Sequence, residues 1–192
     1  SMIPKGGRVV VMGSFTGFSI SKGQLDFEHL GTKEGEHKMM LNGAIPYSQS
    51  KLMQHMWAKH VALHAPLAEG VTLNVCCPGS VMTKIDTWQA LLSCVGCCYE
   101  PCVKPCLGIR EPDVGCTSMM FSLGSQAMEG VTGSFVDFGA DVQRIIPFKP
   151  APLEYYPSQK MALAPSTADA AQCERLFSET SARVAELKAK YA

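Results

Sequence analysis

Tyr47 and Lys51 stand four residues apart in the run Tyr47-Ser-Gln-Ser-Lys51. On a helix that spacing puts both side chains on one face, one turn apart. An ammonium beside a phenol favours the phenolate and draws the tyrosine pKa toward neutral. A phenol tuned in this way can give or take a proton at a carbonyl or alcohol oxygen. Taken alone the spacing is common by chance and most often marks an ordinary surface pair, so its meaning depends on its neighbours. Upstream, Gly13-Ser14 follows the apolar, β-branched run Arg8-Val-Val-Val-Met12. A hydroxyl at the carboxyl end of such a strand lies where open α/β sheets bind ligands.

Two other groups of side chains invite chemistry. The run Cys94-x-x-Cys97-Cys98-x-x-x-Cys102-x-x-x-Cys106 holds only one C-x-x-C pair, whereas zinc sites want two separated by a longer loop. Pro101 and Pro105 also argue against a continuous helix that would align the cysteines on one face. Reduced, inert loop thiols are the leading reading, with metal binding, S-palmitoylation or contact with a membrane surface as alternatives, and no metal site is assigned. His29, His37, His55, His60 and His64 form no ligand pattern and read as packing or surface residues.

The elements that must position these residues follow from patterning. Residues 8–12 and Val71-Thr-Leu-Asn-Val-Cys-Cys77 read as strands buried on both faces, the second stopped by Pro78-Gly79. Residues 15–45 are irregular. Pro46 opens a helix to about residue 64, with Leu52, Met56, Lys59/His60 and Leu63 on one stripe and Met53, Trp57 and Val61 beside it. Apolar residues wrap more of that helix than one buried face requires, so part of it should meet another helix. Pro112 and the acidic Glu111 and Asp113 start a helix to about Leu123. Gly130-Val-Thr-Gly133 turns into a strand over 134–138, and residues 147–166 read as a Pro-rich linker. Thr167 or Ser166 should cap a final helix with Leu176, Thr180, Val184 and Leu187 on one stripe. The alternation predicts a single α/β domain of three layers, with a short parallel sheet of about three strands and flanking helices.

Composition bounds the function. The 192 residues are 46% apolar and 18% charged, as a globular chain requires. The 17 basic and 17 acidic side chains balance, with no basic stripe for nucleic acid. No apolar run reaches the ~18–20 residues a membrane span needs. Nine cysteines, an odd number with five crowded into 94–106, do not suit a secreted disulfide scaffold. A reducing, cytoplasmic setting is expected, with contact between a membrane surface and residues 87–106 left open.

At this point the residues resemble a known family. Val10-Val-Met-Gly-Ser14, Tyr47-x-x-x-Lys51 and Asn74-Val-Cys-Cys-Pro78-Gly79-x-Val81-x-Thr83 occur in the order and setting of the short-chain dehydrogenase/reductases. Leu25-Asp-Phe-Glu-His-Leu30, Arg110-Glu-Pro-Asp-Val-Gly115 and Gly130-Val-Thr-Gly-Ser-Phe-Val-Asp137 look like the retinol dehydrogenase and protochlorophyllide reductase branch. The resemblance spans residues 8–190 and implies a partial Rossmann-like domain. It implies hydride transfer between NADP(H) or NAD(H) and a carbonyl or alcohol of an apolar substrate. Tyr47 resembles the general acid/base. Lys51 would lower its pKa and hold the nicotinamide ribose, and Ser14 would hydrogen-bond the reacting oxygen. Pro78, Gly79, Val81 and Thr83 resemble the segment that packs on the nicotinamide. Gly13 stands where many members carry a second serine.

The family's fold begins with a strand, a Gly-rich turn and a helix that binds the pyrophosphate. No G-x-x-x-G-x-G precedes residue 8, and the strands and helices expected there amount to about 100 residues at ~30 per βαβ unit. The expectation is a fragment or truncated product of a longer reductase, inactive by itself. The strand at 9–12 would then be an edge, hidden by homo-oligomerisation, by swapping, or by a missing N-terminal partner segment. The competing expectation is a non-catalytic relative that binds a protein, or itself, through that edge and the 46–64 helix.

Overall fold

The computed structural model describes residues 3–19, 25–28, 44–65, 67–81, 109–138, 143–147 and 169–191. Three parallel strands form its frame: β1 (Arg8–Met12), β2 (Thr72–Cys77) and β3 (Ser134–Phe138). A fourth, β4 (Gln143–Pro147), runs antiparallel to β3, and the sheet order is β1-β2-β3-β4. The helices are α1 (Thr16–Ser19), α2 (Ala44–His64), α3 (Pro112–Gly115), α4 (Thr117–Gly124) and α5 (Ala170–Tyr191). The domain is therefore α/β with helices on both faces of an open sheet, consistent with a partial Rossmann-like fold.

Strand alternation divides the core between the two faces. Leu73, Val75 and Cys77 of β2 and Phe135 of β3 pack with Leu52, Met56, Ala58 and Val61 of α2, and Cys173 and Leu176 of α5 close that layer. Cys76 and Val136 point the other way, against Met128, Met119 and Phe121. Every residue of β2 is buried, as a central parallel strand demands. β1 is not buried on both faces as its sequence suggests: its residues are half-buried and Met12 is exposed, because β1 lies at the sheet edge among the described residues.

Asn74 fixes how β2 meets the turn before β3. Its Nδ2 donates to Val131 O at 2.7 Å, and its Oδ1 accepts from Ser134 N at 3.0 Å. Gly133, at φ +64°, lets the same turn bring its N–H to Leu73 O at 2.8 Å.

Other boundaries differ from the sequence reading. The helix expected from 111 to 123 is two pieces meeting at Cys116. β4 was not anticipated. The final helix is capped by Asp169, not by Thr167 or Ser166: its Oδ1 accepts from Ala171 N at 2.9 Å and Gln172 N at 3.3 Å. The predicted helix–helix contact of 46–64 is made with α5, where His60 stacks on Phe177 at 4.5 Å. No described helix is long and apolar enough to cross a membrane.

Candidate functional site

The carboxyl ends of β1 and β2 lie side by side, with Met12 paired to Cys76. Ser14 leaves β1 there, and Pro78-Gly79-Ser80-Val81 leaves β2. Gly13 N donates to Cys76 O at 2.8 Å, so the two exits are tied by one further ladder bond. Gly79 takes φ +75°, which turns the chain just past Pro78. Val81 forms a parallel bridge with Arg110, whose N–H bonds Ser80 O at 2.9 Å. Any Cβ at Gly115 would overlap the Val81 side chain, so the end of the 110–115 segment seats directly on this exit.

α2 delivers Tyr47 and Lys51 to the same end of the sheet. Lys51 Nζ donates to Met12 O at 2.9 Å and to Gln54 Oε1 at 3.2 Å, and it lies 5.6 Å from the centroid of the Tyr47 ring. Tyr47 is 45% exposed, whereas Ser14 is 7% exposed. The Ser14 hydroxyl oxygen accepts from Thr16 N at 3.3 Å and from Thr16 Oγ1 at 3.0 Å, which leaves its own proton for donation. Ser48, buried on α2, donates through its hydroxyl to Thr16 O and clamps α1 to the helix.

His55 forms the floor of this site. Its Nε2 accepts the Ser14 N–H at 3.3 Å, which puts the ring proton on Nδ1. The ring stands edge-on to Phe135 at 5.2 Å. A Cβ at Gly13 would overlap His55 Nε2 and Val75, and one at Gly17 would press on the same imidazole. The glycine at position 13, where the resemblance would allow serine, is thus required by His55. Burial, and then the Lys51 charge, push the His55 pKa down to about 3, so the ring is neutral.

Cys76 and Cys77 lie on opposite faces of β2 beside this site, both as thiols. Burial first, then the neighbouring Cys77, pushes Cys76 up to about 11, and burial pushes Cys77 to the same value. Neither is a nucleophile at neutral pH. Among the described residues no three His, Cys, Asp or Glu side chains gather as metal ligands.

Of the residues singled out from sequence, Ser14, Tyr47, Lys51, Pro78, Gly79 and Val81 all lie at or beside this end of the sheet. Thr83 and the cysteines from 94 to 106 lie outside the described residues, as do His29 and His37. His55, Thr16, Ser48, Gln54 and Arg110 were not assigned site roles from sequence. The spacing of Gly13 and Gly17 was the one available sign that a ring must fit between that loop and α2. The arrangement offers a phenol, a cation and a hydroxyl around the exits of two parallel strands, on an uncharged floor. No family model matches the chain, and no curated protein matches it.

Proposed function

We propose that this chain carries the proton-transfer half of a short-chain dehydrogenase/reductase, moving a hydride between NADP(H) or NAD(H) and a carbonyl or alcohol of an apolar substrate. The observation that carries the reading is the Lys51 ammonium, bonded to Met12 O two residues before Ser14 while lying 5.6 Å from the Tyr47 ring centroid. In this reading the Tyr47 hydroxyl donates a proton to the carbonyl oxygen during reduction and takes it back during oxidation. Lys51 supplies the positive charge beside it and a donor for the nicotinamide ribose. Ser14 donates its hydroxyl proton to the reacting oxygen, a small oxyanion contact. Pro78, Gly79 and Val81, with Thr83, would form the wall against the nicotinamide, whose bound form supplies the hydride. The pyrophosphate would need a Gly-rich turn at a helix N-terminus, and the 192 residues hold no G-x-x-x-G-x-G, so by themselves they should not turn over.

The test is kinetic and uses the natural gene product that contains these residues. With NADPH or NADH and apolar aldehydes it should oxidise the cofactor, and Tyr47→Phe should cost about 100- to 10,000-fold in turnover, the usual span for loss of a general acid. Tyr47→Phe at wild-type rate would sink the proposal.

A second reading, a protein-binding or self-associating module, is favoured by one observation. Among the described residues β1 is an edge strand, and the Lys51 ammonium bonds the outward Met12 carbonyl. Sedimentation that shows a monomer at all concentrations would remove its self-associating form.

A further inference from the structure

The C-terminal helix runs on beyond the described residues that it packs against. Cys173, Phe177, Thr180, Val184, Leu187 and Tyr191 recur at alternating steps of four and three residues, the spacing of a coiled-coil seam. The first half of that seam is used. Cys173 and the neighbouring Leu176 are each 1% exposed, and Phe177 stacks on His60 of α2. Among the described residues nothing covers the second half. Every residue from 181 to 191 is exposed, a length of ~16 Å at 1.5 Å per residue. Val184 is 50% exposed, Leu187 41% and Tyr191 77%. Where the halves meet, α2 and α5 enclose a groove of about 480 Å³ lined by Ser50, Met53, Gln54, Trp57, Thr180 and Val184, among others.

We propose that this groove, continued by the seam of α5 beyond Thr180, is a docking site for an acidic amphipathic helix of a partner protein. The charges choose the occupant. α2 carries no Asp or Glu in its 21 residues. On α5 the projecting seam is flanked by Lys188 on one side and by Arg183 and Lys190 on the other. Glu186 is turned away from the seam and bonded to Arg183 at 2.8 Å. Lys188 and Lys190 also face the negative end of the helix dipole, but two full charges exceed the roughly half charge found there. A second copy of the chain fits poorly. Antiparallel pairing of Val184 with its partner's Leu187 would set Arg183 against the partner's Lys190, and parallel pairing would set Arg183 against the partner's Lys188. A bilayer fits poorly as well, because the seam is narrow and opens into a concave groove between two helices. A helix with an apolar seam and acidic flanks would fill the groove as the third helix of a small bundle. This inference does not depend on the oxidoreductase reading.

Three labelled synthetic helices of one length test it by fluorescence anisotropy on the full chain. They share an apolar seam with Glu flanks, the same seam with Lys flanks, and Glu flanks with the seam replaced by Ser. The expected result is binding of the first alone, weakened by salt. Arg183→Glu, Lys188→Glu and Lys190→Glu together should weaken it by roughly tenfold or more and let the Lys-flanked helix bind. These positions are exposed, so the fold should survive, and circular dichroism checks it. Val184→Asp with Leu187→Asp should abolish binding of the Glu-flanked helix. Equal binding of Glu- and Lys-flanked helices overturns the proposal, as does no binding by a folded chain. So does a dimer in sedimentation that Leu187→Asp dissociates, or binding to phosphatidylserine vesicles without binding to the Glu-flanked helix.

Discussion

His55 binds less proton in the folded chain than in the unfolded one, because burial first and the Lys51 charge second hold its pKa near 3, against an ordinary 6.5. The sign follows from linkage. Above 6.5 both states are neutral and the stability is complete. Below it the unfolded chain gains a proton that the native ring refuses, so stability falls as pH drops through the window from 6.5 to 3. The slope should approach about 1.4 kcal/mol per pH unit below that upper bound. Urea titrations at neutral pH and at mildly acid pH, before the carboxylates titrate, should show the loss, and His55→Gln should flatten it. An unchanged slope in that variant would place the proton elsewhere. Gly13 tests the same packing from the other side. Gly13→Ala would drive a methyl into Val75 and His55, at a cost of about 1–3 kcal/mol in urea unfolding. Tyr47 and Lys51 were legible because a helical spacing converts directly into one face. His55 was not, since its role depends on a loop 41 residues earlier folding back onto it.

Backbone direction within β1 makes an element-scale prediction. Gly7 O accepts from Thr72 N and Gly13 N donates to Cys76 O, so the odd residues between them face β2. The backbone groups of Arg8, Val10 and Met12 therefore point away from the sheet, and Lys51 caps the Met12 carbonyl. Val11→Pro removes a ladder donor and should unfold the domain, whereas Val10→Pro removes an outward N–H and should cost much less. Thermal melts of both variants decide it; equal losses would show that β1 is paired on both sides. Strands 8–12 and 134–138 were readable because glycines or turns bound short apolar runs, and β2 because Pro78-Gly79 stops it. β4 was not, because Gln-Arg-Ile-Ile-Pro has only two apolar residues before a proline, and its pairing with β3 is set by tertiary contact. The break at Cys116 directly follows Gly115, which was not read as a helix boundary. The cap of α5 was misplaced because Thr167, Ser166 and Asp169 are all capping types within one turn, and only geometry selects Asp169.

At the scale of the molecule, the fold class followed from the alternation of strands and helices, and the two-faced core from the period of β2. What no pattern could supply is the company of β1. An edge strand with apolar side chains and outward-pointing amides is a pairing surface. The proposed nicotinamide binding is a separate whole-molecule question. Calorimetry with NADPH on the 192-residue chain should give at best weak heat, because these residues hold no G-x-x-x-G-x-G to cradle a pyrophosphate; micromolar affinity would contradict that account.

Asn74 and its neighbours have a kinetic consequence as well. β2 can be completed only by joining Val10 to Asn74 and Val75 to Phe135, so each side of the central strand closes a span of roughly sixty residues before it gains a partner. Local helical turns cannot lower that entropic barrier. Refolding from urea should therefore be slow for a domain of this length, with the sheet's middle the last part to acquire protection from hydrogen exchange.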